Sequence, residues 1–260
     1  MSIVAAVVPG DYIPPDAAEF WQPLVGSGAF ALTRPILLLV LSVGLISWWL
    51  LATTRHRAIV PGKAQMGTEA VYGLVRNGVA RDLIGSKDFL RFVPLLFTMF
   101  ILILVNNLFG VVPPMSFPTM SRIGFPMVLA LIVWVVFHVV GMRKHGVLGY
   151  WKSLVPPGLG PGMSIAIFPL ELITDLFTRP VTLALRLFGN MFAGHILLVL
   201  FITGGWHMLT SGGFLVAAGG VTWIFALVMT LFEILVEFLQ AYVFTLLAAL
   251  YIAGAVADEH

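Results

Sequence analysis

Pro35–Thr54, Phe92–Val112 and Ile123–Met142 are uncharged apolar runs, each about 20 residues long. At 1.5 Å per residue a helix of that length crosses a hydrocarbon core of about 30 Å. Two further apolar stretches, Ile165–Ile202 and Phe214–Val256, exceed what an upright crossing needs. Together these segments take up most of a 260-residue chain in which only 10% of residues are charged, against about 25% in soluble domains. The pattern predicts an all-α integral membrane protein forming a single membrane domain over residues 1–260. It excludes a soluble enzyme and a disordered chain.

The first three runs read as upright spans at 35–54, 92–112 and 123–142, the second and third joined by the Pro-rich turn 113–118. Val221–Ala253 lacks both Gly and Pro, and as an unbroken helix it measures about 50 Å, so it must tilt or kink. The same applies to 165–202, where Pro180 and the Gly189–Gly194 stretch offer places to bend. The expectation is a hairpin of two long tilted helices, 165–202 and 214–256, with a Gly-rich turn after Ile202. Residues 1–33 form an outer tail. Between spans one and two, Met66, Ala70 and Leu74 recur every fourth residue, predicting an interfacial amphipathic helix over 63–85.

Lys and Arg set the orientation. Arg55, Arg57, Lys63, Arg76, Arg81, Lys87 and Arg91 lie between spans one and two, and Arg143, Lys144 and Lys152 follow span three. Both loops belong in the cytoplasm, which puts the amino terminus outside and the carboxyl terminus inside.

The three upright spans contain no Lys, Arg, Asp or Glu, whereas the last two segments hold Glu171, Asp175, Arg179, Arg186, Glu233 and Glu237, with His195. A charge at the bilayer centre costs about 2.5–3.5 kcal/mol even on lenient scales, so such residues mark ion routes or pair with one another. Arg186 keeps its charge at any accessible pH and cannot relay a proton, but it can attract a carboxylate and hold it ionised. The plainer alternative is an internal pair with Glu233 or Glu237. On a straight helix Asp175, Arg179, Arg186 and Asn190 fall within about 60° of one another, although Asp175 and Arg179 also suit an ordinary i,i+4 pair. His195 lies half a turn away from Arg186, toward the outer surface. Glu233, Glu237, Gln240 and Phe244 form a second stripe. His195 and Glu233 suit a proton-binding pair or a static plug between helices. Asn106 and Asn107 line a cavity or cap a helix end, and His138 falls near an interface.

The segment Arg179-Pro-Val-Thr-Leu-Ala-Leu-Arg-Leu-Phe-Gly-Asn-Met-Phe-Ala-Gly-His195, followed by Glu233 and by Gln240-Ala-Tyr-Val-Phe-Thr-Leu-Leu-Ala-Ala-Leu-Tyr251, resembles subunit a of the F-type ATP synthase. Asn107-Leu-Phe-Gly-Val-Val-Pro113 extends the likeness to span two. The resemblance implies a proton-translocating stator bordering a ring of c subunits and held by b-type peripheral stalk subunits in a bacterial plasma membrane. Two offset half-channels would lead protons to and from the ring, and their flow would drive ATP synthesis. Arg186 matches the arginine that meets the ring carboxylate. Asn190 and Gln240 match its polar neighbours, Asn107 a residue of the outer half-channel, and His195 with Glu233 that channel's acid-base pair. Glu171 and Asp175 are the candidates for the inner half-channel, Glu171 being offset by one position. Glu237 stands apart from the likeness: its place on the Glu233 stripe suits either proton translocation or packing. Gly110 stands where some relatives carry Asp.

No cofactor, bound nucleotide or nucleic-acid partner is expected. The chain lacks Cys, H-E-x-x-H and a phosphate loop, so His195, Glu233 and Glu237 resemble a metal set in composition only. A self-contained ion-coupled transporter is the competing class, and it would require inverted repeats and a broken helix at midplane. An intramembrane enzyme would require a nucleophile or a metal set there.

Overall fold

The computed structural model of the protein describes residues 23–25, 32–55, 61–112, 119–154 and 160–257. Most of the predicted outer tail and the whole Pro-rich turn 113–118 lie outside these residues. The regular elements among the described residues are helices apart from one antiparallel pair, β1 (Pro23–Val25) and β2 (Leu32–Thr33).

Helix α1 (Arg34–Thr54) starts with Pro35 in its first turn, where the missing N–H costs nothing. Only Pro35, Leu38 and Ser42 are buried, and Leu37, Val40, Trp48 and Leu51 face outward, as suits a helix in lipid. The surface segment begins as α2 (Lys63–Val75) and continues through a π turn (Arg76–Arg81) and Asp82–Ile84. It stops at Gly85, whose φ of +89° suits only a residue without Cβ. A face other than the predicted stripe packs on the spans. Thr68, Val75, Val79 and Ala80 are buried, while Met66 and Leu74 of the predicted stripe are exposed.

The second span is shorter than predicted. Helix α3 (Val93–Leu108) gives way to tighter turns in which the Gly110 amide donates to Asn107 and that of Val111 to Leu108. Val112 precedes Pro113, whose ring disfavours a helical conformation in the residue before it. Helix α4 (Gly124–His145) gains a last turn of Arg143, Lys144 and His145 before Gly146 at φ +73°, and these cations complement the helix dipole. Lys144 donates to the Val256 carbonyl at the end of the chain's last helix. The short helix α5 (Val147–Ser153) follows.

The first arm of the hairpin is one apolar rod, Gly162–Ser211. It comprises α6 (Pro161–Ile173), a π turn (Thr174–Thr178) and α7 (Arg179–Ser211). The irregularity precedes Pro180, which has no N–H for the preceding turn and whose ring crowds it. Regular helix runs unbroken through Gly189–Gly194, the other place the sequence offered for a bend. The turn also comes later than expected: Gly204 and Gly205 stay helical, and the chain reverses at Gly212 and Gly213, with φ of +80° and +62°. Helix α8 (Leu215–Val256) returns over 42 residues, about 63 Å at 1.5 Å per residue and well beyond one upright crossing. Among the described residues four helices are long and apolar enough to cross a membrane, and α3 is a shorter fifth.

The core lies where α3, α4, α7 and α8 meet. Leu96, Phe100 and Ile103 of α3, Phe137 of α4, and Leu183, Leu187 and Met191 of α7 enclose Phe244 and Ile252 of α8. Ala241, Ala248 and Ala249 let these neighbours approach α8 closely.

Candidate functional site

Arg186 projects from α7 outside the face of Leu183, Ala184 and Leu187, which are buried in the core. It is exposed beside Val181 and Leu185. Among the described residues no carboxylate lies within ion-pairing distance of it. The internal pair with Glu233 or Glu237 does not form: both carboxylates are turned into the bundle, whereas Arg186 is exposed on its outer face. One turn on, the exposed Asn190 donates to Gln240 Oε1 of α8 at 2.7 Å, tying the two arms beside the arginine.

Toward the hairpin turn, His195, Glu233 and Glu237 are buried, together with Gln240 and Phe244 of the same α8 stripe. The period read from the sequence therefore survives folding. Gly194 brings Glu233 against α7: a Cβ at that position would sit 3.2 Å from Glu233 Oε1. Asn107, fully buried on α3, directs its amide nitrogen at the Glu237 carbonyl 3.5 Å away. Its neighbour Asn106 serves a different contact, donating to Ser42 Oγ at 2.9 Å and holding α1 to α3.

A third group forms at the other end of α7. Asp175 is fully buried in the π turn and ion-paired with Arg179. His138 Nε2 lies 3.2 Å from Asp175 Oδ2, and the Tyr150 hydroxyl donates to the same oxygen at 3.2 Å. Arg179 also stacks over the Tyr251 ring at 5.3 Å. Burial, followed by the Asp175 charge, pushes the Tyr150 phenol above its ordinary range and keeps it a donor. This network joins α4, α5, α7 and α8. It also separates Asp175 from the predicted stripe, because Asp175 points inward while Arg186 and Asn190 point outward. The π turn inserts an extra residue and shifts the helical phase between them. Glu171 is half-buried one turn before Asp175.

Sequence spacing did not reveal Tyr150 as a partner of Asp175, and it left His138 at an interface. Neither has a local signal, since Tyr150 is 25 positions from Asp175. The available hint was His138 as the lone titratable group within an otherwise apolar span. Gly141 makes room for the network, since a methyl group there would overlap the Tyr150 ring. Gly141→Ala is expected to displace Tyr150 and destabilise the protein by about 1–3 kcal/mol, seen as a lower unfolding temperature in detergent. An unchanged temperature would show that the ring moves aside without loss.

The family model for the ATP synthase A chain matches residues 36–253, a stretch that contains all three polar groups. The chain belongs to the ATP synthase A chain family. Among its relatives, the ATP synthase subunit a of a Nocardioides species is 45% identical over the full length of both chains. That of Pseudarthrobacter chlorophenolicus is 39% identical over 96% of each. That of Streptomyces lividans is 40% identical over 87% of this chain and 80% of its own. The ATP synthase A chain match begins in α1 and ends in the last turn of α8, so it takes in the whole helical bundle.

Proposed function

We propose that this chain is the proton-conducting stator of an F-type ATP synthase, with Arg186 facing a ring of c subunits and two half-channels offset to either side of it. The observation that carries the reading is a permanent charge on the exposed face of a buried-core helix, with no counterion among the described residues. A cation left in that position in a membrane needs an anion from a neighbour, and a ring carboxylate supplies one. An ion-coupled transporter would instead enclose its arginine.

Protons enter from outside by His195, Glu233 and Asn107 and neutralise a ring carboxylate. That group then turns into lipid without the penalty for a buried charge. A carboxylate arriving from the other side meets Arg186, ionises and gives up its proton inward, past Glu171 and the Asp175 network. The fixed charge repels protons and prevents a direct leak between the two paths. Asn190 and Gln240 hold the two arms together beside it. Each elementary charge crossing the membrane field delivers about 2.3 kcal/mol per 100 mV, the energy that turns the ring and drives ATP synthesis elsewhere in the complex. Peripheral stalk subunits of b type hold the stator against that torque.

The amino terminus lies outside and the carboxyl terminus in the cytoplasm. In support, Arg122 donates to Thr33 Oγ1 at 2.7 Å, bringing the start of α1 beside the start of α4. At the opposite end Arg91, Arg143, Lys144 and Val256 line one cavity, which suits the positive-inside rule.

The chain has no Cys, so a single introduced thiol is unique in it. Leu185→Cys, on the exposed face beside Arg186, is expected to form a disulfide with a thiol placed on the ring helix that carries the carboxylate. Leu187→Cys, fully buried, is expected to form none. Crosslinking from Leu187→Cys with none from Leu185→Cys would put the ring on another face and sink the proposal.

A further inference from the structure

Glu237 is fully buried, and neither of its carboxyl oxygens has a hydrogen-bond partner among the described residues. The same is true of both oxygens of Glu233, of Asn107 Oδ1 and of Gln240 Nε2, all at least nine-tenths buried. Native proteins leave few such atoms unsatisfied, and a row of them marks a path that holds water or protons. These atoms lie along one face of α8, between α3 and α7. Glu233 and Glu237 are four residues apart and Glu237 and Gln240 three, about 6 Å and 4.5 Å along the axis.

A proton handed directly from Glu233 to the level of Gln240 would have to cross about 10 Å, whereas transfer works within hydrogen-bond reach or through one water. Glu237 divides that gap into two short steps. Asn107 lies beside it, with its amide nitrogen 3.5 Å from the Glu237 backbone carbonyl. Beyond it, Gln240 gives its amide oxygen to Asn190 and keeps its amide nitrogen for the path. Asn190 in turn is exposed on the side of Arg186.

We propose that Glu237 is a proton relay of the outer path, carrying protons from Glu233 to the Asn190–Gln240 pair beside Arg186. The proposal rests on the stator reading above and adds a station to it. In each transfer the Glu233 carboxyl gives its proton through water to the Glu237 carboxylate and is left ionised, to be reprotonated from outside. Glu237 then gives the proton to the ring carboxylate and returns to its own ionised form. No electrons move. The charged and titratable groups around this face are few. Glu233 lies on α8 itself, α7 contributes His195 and Arg186, and α3 has none. Within its span α4 has only His138, which is engaged with Asp175. The surface segment adds Arg76, Arg81 and Asp82.

The test uses whole complexes in inverted vesicles, with ATP-driven pumping and passive proton conduction followed across the neutral pH range. Glu237→Gln, nearly isosteric, is expected to assemble normally and to slow both fluxes by roughly 100-fold. Glu237→Asp is expected to recover most of the flux with a displaced pH profile. Wild-type flux in Glu237→Gln would overturn the relay, as would equal losses in both variants with an unchanged pH profile. Should Glu237→Gln fail to assemble, the pH profile of Glu237→Asp decides alone: displacement supports the relay and an unchanged profile overturns it. Arg186→Ala run in parallel separates the two levels. Pumping that survives it sinks the stator reading and the relay together. Pumping lost in Arg186→Ala but normal in Glu237→Gln sinks the relay only.

Discussion

Arg186→Ala is expected to reduce ATP-driven proton pumping to background, with assembly of the complex intact and passive proton leak increased. The arginine makes no ion pair among the described residues, and the side chains on either side of it that pack into the core are Leu183, Ala184 and Leu187. Its removal therefore breaks no hydrogen bond or ion pair among the described residues, and intact assembly separates a lost activity from misfolding. The change removes the only permanent charge in this part of the hairpin. On the proposed mechanism, a ring carboxylate then has no cation to favour its ionised form, and no positive potential separates the proposed entering and leaving paths. Dye quenching in inverted vesicles reads pumping, and proton decay across the same membranes reads leak. Normal pumping in the variant would make Arg186 a structural residue and remove the basis of the mechanism.

Gly219→Ala and Gly220→Ala are expected to change stability in opposite directions although the residues are adjacent. A Cβ at Gly219 would lie 2.8 Å from the Leu209 backbone nitrogen and 3.0 Å from the Gly205 carbonyl oxygen. Those are main-chain atoms of the facing helix, so the two arms must separate. Overpacking of this kind costs about 1–3 kcal/mol, and in lipid no hydrophobic force drives the arms back together. A Cβ at Gly220 meets nothing within 4 Å, so alanine there contributes only its better helix propensity, about 1 kcal/mol. Thermal unfolding in detergent and the amount of subunit retained in membranes measure both. Equal stability of the two variants would show that the arms do not cross at Gly219.

The features readable from the sequence are those whose cause is local. An apolar run of about 20 residues must be satisfied by helical hydrogen bonds wherever it sits in a bilayer. Hence α1 and α4 begin within a residue or two of the predicted positions, and α1 also ends where expected. The period of 3.6 residues likewise carried Glu233, Glu237, Gln240 and Phe244 to one buried face. Arg186 stood out because a charge in an apolar rod is costly in any fold. Where a single covalent feature acts on the backbone, the sequence offered two places to bend and the fold uses one. Pro180 disrupts the fourth segment through a π turn just before it, while Gly189–Gly194 stays helical.

Other features exist only because distant segments meet. Asp175 and Arg186 share a stripe on an ideal helix, yet the π turn rotates them apart. Asp175 then faces His138 of α4 and Tyr150 of α5, residues no periodicity connects to it. On the surface helix the regular Met66 and Leu74 spacing marks the outward face, and the side that packs was chosen by the shape of the spans beneath it. Composition and periodicity thus decided that this chain crosses a membrane, roughly where it does so, and which helices bear charge, because desolvation and backbone hydrogen bonding act on each segment alone. Only the packing of α3, α4, α7 and α8 decided which polar groups are enclosed, which remain exposed and which touch, because those outcomes depend on contact distances between helices that sequence spacing does not contain.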